Sequence, residues 1–220
     1  SIGFQSSRTT VWTKINGIRT PAFHNFVYGA GFHVTKTSGG STAVGLGGLN
    51  TIFDGFTVKS TVANGYGISL SNIGTTVRNM FVVPGANSAN IGIALSSMTS
   101  AINCVVIGGY RGIAFSQSQL GILAANNFVT GCYQGFGHSG GATTALNGSF
   151  YNNISIGNTV NWPTVSGFTA SHNAGESGNS PWDTVGGTSQ TVSSSDFVNY
   201  AGYDVTPASA TSPQVENGRQ

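Results

Sequence analysis

Between Thr51 and Gly157 one short pattern returns five times. An Asp or Asn precedes a run rich in Phe, Val and Ile: Asp54-Gly55-Phe56-Thr57-Val58, Asn79-Met80-Phe81-Val82-Val83, Asn103-Cys104-Val105-Val106-Ile107, Asn127-Phe128-Val129-Thr130 and Asn153-Ile154-Ser155-Ile156. The steps between copies are 25, 24, 24 and 26 residues. A period that regular marks a repeat architecture, in which each copy is a unit stacked on the next. A second series interleaves with the first: Gly67-Ile68-Ser69-Leu70, Gly92-Ile93-Ala94-Leu95, Gly112-Ile113-Ala114-Phe115 and Gly135-Phe136-Gly137-His138. Each repeat therefore holds two short β-type segments separated by turn residues, with no helical periodicity. Two or three strands per coil make an all-β parallel solenoid, and at ~4.8 Å per coil five coils form a rod of about 24 Å.

In such a stack like residues lie over like. The spacing predicts a structural ladder of Asp54, Asn79, Asn103, Asn127 and Asn153 at a bend, where Asn tolerates left-handed backbone and its amide donates to one neighbour and accepts from the other. Ile68, Ile93, Ile113 and Phe136 are expected to form an interior apolar column. Alternation adds a constraint. In the middle coils both parities are apolar, Met80 and Val82 against Phe81 and Val83, and Cys104 and Val106 against Val105 and Ile107. One of these sides must be covered, either by another part of the chain or by another copy in a threefold bundle.

The repeats "VRNMFVV", "AINCVVIGG", "AANNFVTG" and "FYNNISIGN" resemble the right-handed parallel β-helix of pectate-lyase-like proteins and phage tail spikes. The segment from Asp196-Phe197-Val198-Asn199 through Asp204-Val205 to Ser212-Pro213 and Gly218 is similar to the closing segment of many β-helix-repeat proteins. The resemblance implies a fold and leaves a wide range of functions, since this superfamily includes lyases, hydrolases, epimerases, virion spikes and non-catalytic surface proteins. The expected organisation is a β-helix over residues 1–157, with less regular opening coils over 1–50 and regular coils over 51–157. A last irregular coil, a loop and a closing arm follow over 158–220. In the opening coils, Val11 to Ile15, Phe23 to Tyr28 and Gly31 to Val34 read as short strands. The arm is expected to pack Phe197, Tyr200 and Tyr203 on the solenoid or on a neighbouring subunit. The chain begins at Ser1, so either a leader has been removed or this is a segment of something longer.

Charge narrows the partners. With eight Lys or Arg against six Asp or Glu, the formal net charge is +2 and only 6% of residues are charged. The usual share is about a quarter, so Ser, Thr, Asn, Gln and Gly must cover most of the surface. No basic cluster points to nucleic acid, and no apolar run is long enough to insert in a membrane. The near-neutral, Asn-rich surface suits a virion or extracellular setting. Cys104 and Cys132 stand 28 residues apart, which puts them out of line on a 24-residue period. Two buried free thiols are expected rather than a disulfide, and no ligand spacing suggests a metal or cofactor.

Candidate chemistry is sparse. Enzymes of the resembled type work on polysaccharides with carboxylates, often helped by a cation. Hydrolysis needs two carboxyl groups about 5 to 9.5 Å apart, whereas the repeats hold the single acid Asp54. A lyase needs fewer acids, and Asp54, Lys59 and Arg78 are the best catalytic constellation, with a structural Asp54–Arg78 ion pair across coils as the competing use. His24, His33, His138 and His172 read as surface or hydrogen-bonded side chains. Tyr110 and Tyr133, on neighbouring coils, are the candidates for stacking on sugar rings, with Tyr28, Tyr66 and Trp162 also placed beside turns. The reading is a non-catalytic structural β-helix, a phage virion surface component of capsid-decoration or tail-spike type, assembled as a homotrimer and contacting other virion proteins. The alternatives are a polysaccharide lyase or hydrolase and a glycan-binding surface module.

Overall fold

A computed structural model describes residues 2–3, 25–38, 42–46, 49–85, 88–115, 120–138, 144–162, 166–176, 183–184, 190–202 and 204–209. The repeats form a parallel β-helix with three strands per coil. The first face carries the leading halves of Asn25–Lys36 and Thr51–Ser60, then Thr76–Arg78, Ser100–Ile102, Leu123–Ala125, Thr144–Tyr151 and Ser166–Ser171. The second carries the trailing halves of the same two long strands, then Phe81–Val83, Val105–Ile107, Phe128–Thr130, Ile154–Ile156, Ala174–Gly175 and Gln190–Thr191. Thr42–Leu46, Tyr66–Leu70, Ile91–Leu95, Arg111–Phe115 and Gln134–His138 make the third. Every pairing within these faces is parallel. Of the expected opening strands, Gly31 to Val34 and the end of Phe23 to Tyr28 lie in Asn25–Lys36, which also pairs with Ile2–Gly3. Val11 to Ile15 lies outside the described residues.

The first and second faces meet at a tight bend. Its residues are Gly55, Asn79, Asn103, Asn126, Asn152 and His172, all with φ between 52° and 81°. Glycine has no Cβ to clash in this left-handed region and asparagine can bond locally there, so they are the residues of choice. A second left-handed column, Asn50, Gly74, Met98, Gly121 and Asn147, turns the chain from the third face into the first. Met98 is the one member with neither advantage, and its φ of 54° costs about 1 kcal/mol relative to glycine.

The lumen is filled by the predicted ladder. Ile68, Ile93, Ile113 and Phe136 are at most 1% exposed, beside Val82, Val106 and Val129 from the second face. The glycine that opens each third-face strand stands where the two faces approach. A Cβ at Gly67 would lie 2.7 Å from both Val82 Cγ1 and the Gly92 carbonyl oxygen, and Gly92 and Gly112 meet the equivalent atoms one coil on. Phe136 stacks on Trp162 with ring centroids 4.5 Å apart, and Phe150 meets Phe136 edge-on, closing the interior with aromatic bulk.

In the later coils the apolar outer side of the second face is covered by the chain itself, while Phe81 and Val83 of an earlier coil stay half-buried. Phe128, Ile156 and Ala174 form a second buried cluster with Val192 and Phe197, against which Val105, Ile154 and Tyr200 pack. Phe128 meets Phe197 edge-on at 5.5 Å, and the Tyr200 hydroxyl bonds Thr130 Oγ1 at 2.6 Å and the Ile156 carbonyl at 3.3 Å. Beyond Gln190–Thr191 the arm makes a 3₁₀ turn over Ser194–Asp196 and an antiparallel pairing of Phe197–Asn199 with Asp204–Pro207. Tyr203, also expected to pack here, lies outside the described residues.

Candidate functional site

The ladder drawn through Asp54, Asn79, Asn103, Asn127 and Asn153 resolves into three adjacent columns. Register places Asp54 opposite Arg78, so Asp54 stands one residue before the bend, and Asn79 and Asn103 occupy the bend itself. Asn127 and Asn153 stand one residue after it, in line with Met80 and Cys104. Coils are 24, 24, 23, 26 and 20 residues long by register, and the 23-residue coil shifts the series by one. The dipeptides Asn126-Asn127 and Asn152-Asn153 held the missing signal: their first members continue the bend column and their second members do not.

The two asparagine columns differ in environment. The outer one is a chain of amides at the surface, in which Asn103 Nδ2 donates to Asn79 Oδ1 at 2.6 Å and Asn79 Nδ2 donates to Asp54 Oδ1 at 2.6 Å. The inner one is buried. Asn127 Nδ2 donates to Asn153 Oδ1, Asn153 Nδ2 to Asn173 Oδ1 and Asn173 Nδ2 to Asp183 Oδ1, at 2.9, 2.9 and 2.7 Å. Each inner amide also ties backbone across coils, since Cys104 N donates to Asn127 Oδ1 and Asn153 Nδ2 donates to the Ala124 carbonyl. A buried polar group must be bonded, and here each one closes two coils together.

Among the proposed catalytic residues, Asp54 and Arg78 come together and Lys59 does not. Arg78 Nε donates to Asp54 Oδ2 at 2.9 Å, so with Asn79 on Oδ1 both carboxylate oxygens are engaged. Lys59 is exposed on the second face, on the far side of the Gly55 bend. With Arg78 42% exposed, the pair contributes at most about 1 kcal/mol. Of the other acids with described side chains, Asp183 accepts from Asn173 and Asp196 accepts from Ser193. No group of three or more His, Cys, Asp or Glu converges among the described residues.

Tyr110 and Tyr133 do stand on neighbouring coils, stacked on each other at 4.8 Å and 8°. Their mutually facing surfaces are therefore consumed. The Arg111 guanidinium lies 4.8 Å from the Tyr110 ring centre, and its Nε donates to Gln134 Oε1 at 3.0 Å. Arg111 and Gln134 thus join the tyrosines at this corner, an association that sequence spacing left unread. His138 continues the Leu95–Phe115 column, and burial, with the Arg111 charge beside it, holds its imidazole below the usual range. Trp162 is buried and serves the core, Tyr66 is half-buried, and the side chains of Tyr28 and His24 lie outside the described residues. Among the described residues, His33 and His172 join no group of three or more His, Cys, Asp or Glu.

Cys104 and Cys132 are both free and buried. Cys104 stands in line with Asn127, whose Oδ1 accepts from Cys104 N at 2.9 Å, and Cys132 N donates to Asn158 Oδ1 at 2.8 Å. Burial pushes both thiols up to about 12. At that value both stay protonated near neutrality, and a protonated thiol is a poor nucleophile.

No protein-family model and no curated protein matches this chain in sequence. The structure is similar to the crystal structure of pectate lyase Pel9A, with a TM-score of 0.53 and 16% sequence identity. The match covers 81% of this chain and 60% of that one, so it spans less than two thirds of the enzyme. The chain has the right-handed parallel β-helix fold that this likeness and its stacked parallel coils share.

Proposed function

We propose that this chain is a non-catalytic structural β-helix, a rigid component of a virion or other extracellular surface of the capsid-decoration or tail-spike kind, built from more than one copy. The observation that carries the reading is the use made of Asp54. Its two oxygens terminate the outer amide ladder and pair with Arg78, so the one acid of the repeats is spent on holding coils together. A β-elimination needs a base free to take a proton and a cation free to neutralise the uronate. Lys59 stands on the second face, beyond the Gly55 bend, and not beside Asp54 and Arg78 on the first.

The test is cleavage of uronate polymers, read as new ultraviolet absorbance of unsaturated ends, for the wild type and Asp54→Ala. The expectation is no turnover in either, with Asp54→Ala less stable than wild type. Measurable cleavage by the wild type that Asp54→Ala abolishes would replace this reading with the lyase one.

A second reading, glycan binding without turnover, is favoured by the Tyr110, Arg111, Tyr133 and Gln134 corner. Tyr133 is 46% exposed, and a guanidinium on an aromatic ring presents donors beside an apolar edge. Retention on immobilised polysaccharide that is lost with Tyr133→Ala would support it.

A further inference from the structure

One apolar feature stands exposed on the surface of the described residues. Six large apolar side chains stand out as exposed among the described residues, and four of them, Leu49, Ile73, Met98 and Leu120, line one edge of the rod. They are between 44% and 58% exposed. Register explains the row: Asn50 N donates to the Ile73 carbonyl, Gly74 N to that of Met98 and Met98 N to that of Leu120, so the four sit on successive coils at the turn into the first face. Three steps of ~4.8 Å make the ridge about 14 Å long.

Met98 sharpens the point. Its position requires left-handed backbone, every other described member of the column is Asn or Gly, and the side chain is 51% exposed. A large apolar residue kept where the fold prefers a small or polar one is a sign of use elsewhere.

We infer that this ridge, with the adjoining outer side of the first face, is the contact through which copies of this chain lie side by side. The inference rests on the structural reading above and names the surface that reading needs. Two observations favour a second copy as the occupant. The outer first face presents Ile52, Thr76, Ser100, Leu123 and Ser149 beside the ridge, and Arg78, Ile102, Ala125 and Tyr151 beyond it. Its described charges, Asp54 and Arg78, are paired with each other in the same copy. A surface that meets its own equivalent must avoid unpaired like charges, and this one does. The ridge also repeats with the rise of the solenoid, and a second solenoid of the same rise stays in register with it rung by rung. The later coils of the second face are already occupied, because the arm lies over Phe128, Ile154 and Ile156.

The experiment is absolute mass by sedimentation equilibrium over a wide concentration range, for the wild type, Ile73→Lys/Leu120→Lys, Met98→Asn and a control, Val198→Lys, at an exposed apolar site on the arm. The wild type and the control should assemble with the same affinity. The double lysine variant should lose ~100-fold or more in affinity, the effect of bringing like charges together in an interface. Met98→Asn should raise the midpoint of thermal unfolding measured on monomer while weakening assembly, a split that loss of fold cannot produce. A monomeric wild type, or assembly that survives the double substitution, overturns the inference. Either result leaves the non-catalytic reading to the polymer-cleavage assay, which does not depend on assembly.

Discussion

Replacing Asn153 by Ala tests whether the inner amide column, rather than the outer one, holds the coils together. Asn153 is fully buried and makes four side-chain bonds: Oδ1 accepts from Asn127 N at 3.1 Å and Asn127 Nδ2 at 2.9 Å, and Nδ2 donates to Asn173 Oδ1 and the Ala124 carbonyl, both at 2.9 Å. Two of these partners keep other bonds, since Asn127 Nδ2 still reaches the Ala101 carbonyl and Asn173 Oδ1 still accepts from Asn153 N. The Asn127 backbone N–H loses the acceptor that served it, whereas the Ala124 carbonyl stays within the parallel ladder with Thr144–Tyr151. A buried group left unpaired costs about 1–3 kcal/mol, so the change should cost roughly that much before the lost cross-coil amide bonds and any cavity are counted. Against a total stability of about 5–15 kcal/mol this is a large fraction. The comparison is Asn103→Gly, which removes a surface amide from a left-handed position that glycine accepts, with an expected cost below about 1 kcal/mol. Urea unfolding followed by far-ultraviolet circular dichroism gives both midpoints. Equal shifts for the two variants would refute the argument that burial, and not the presence of an amide ladder as such, decides the stability of the stack.

Two further outcomes follow from the same geometry. Phe197→Ala should cost about 3–5 kcal/mol at the arm and open residues 190–209 to protease while the coils stay folded, read by the cleavage pattern and by new binding of an apolar dye. Both thiols should resist alkylation in the native protein and react on unfolding. Their pKa is raised from about 9 to about 12, so an unfolded chain gives up these protons first. Their effect on stability is therefore flat below pH 9 and turns to a loss as pH climbs toward 12, a slope that Cys104→Ala/Cys132→Ala should reduce.

The period, the parallel stacking and the lumen column were all legible, because a residue that repeats every 24 positions and faces inward has to be apolar in every coil. Ile68, Ile93, Ile113 and Phe136 fall where their spacing places them. The need for cover over the second face was legible from Phe81, Val83, Val105 and Ile107, but not that the arm lies over its later coils. The arm residues Val192, Phe197 and Tyr200 carry no period, so only packing reveals their partners. The exact asparagine column was lost because coil length varies, and adjacent asparagines satisfy a spacing rule equally well whether they occupy the bend or the interior beside it. The pairing of Asp54 with Arg78 followed from the one-coil offset, whereas the Arg111 corner needed side-chain conformations that no spacing encodes.

The amide columns also have a sense. In the outer one every donor points toward earlier coils and the series stops on Asp54; in the inner one every donor points toward later coils and stops on Asp183. An amide can pass a hydrogen bond along because it both gives and receives, but an ionised carboxylate only receives. Each acid is therefore a terminator, and placing one at the last rung obliges every amide behind it to point the same way. Two of the chain's six acids set the polarity of two antiparallel files of dipoles running along the rod. Exchanging either acid for Asn would leave its file able to run in both directions, and the solenoid would lose a marker of where it ends.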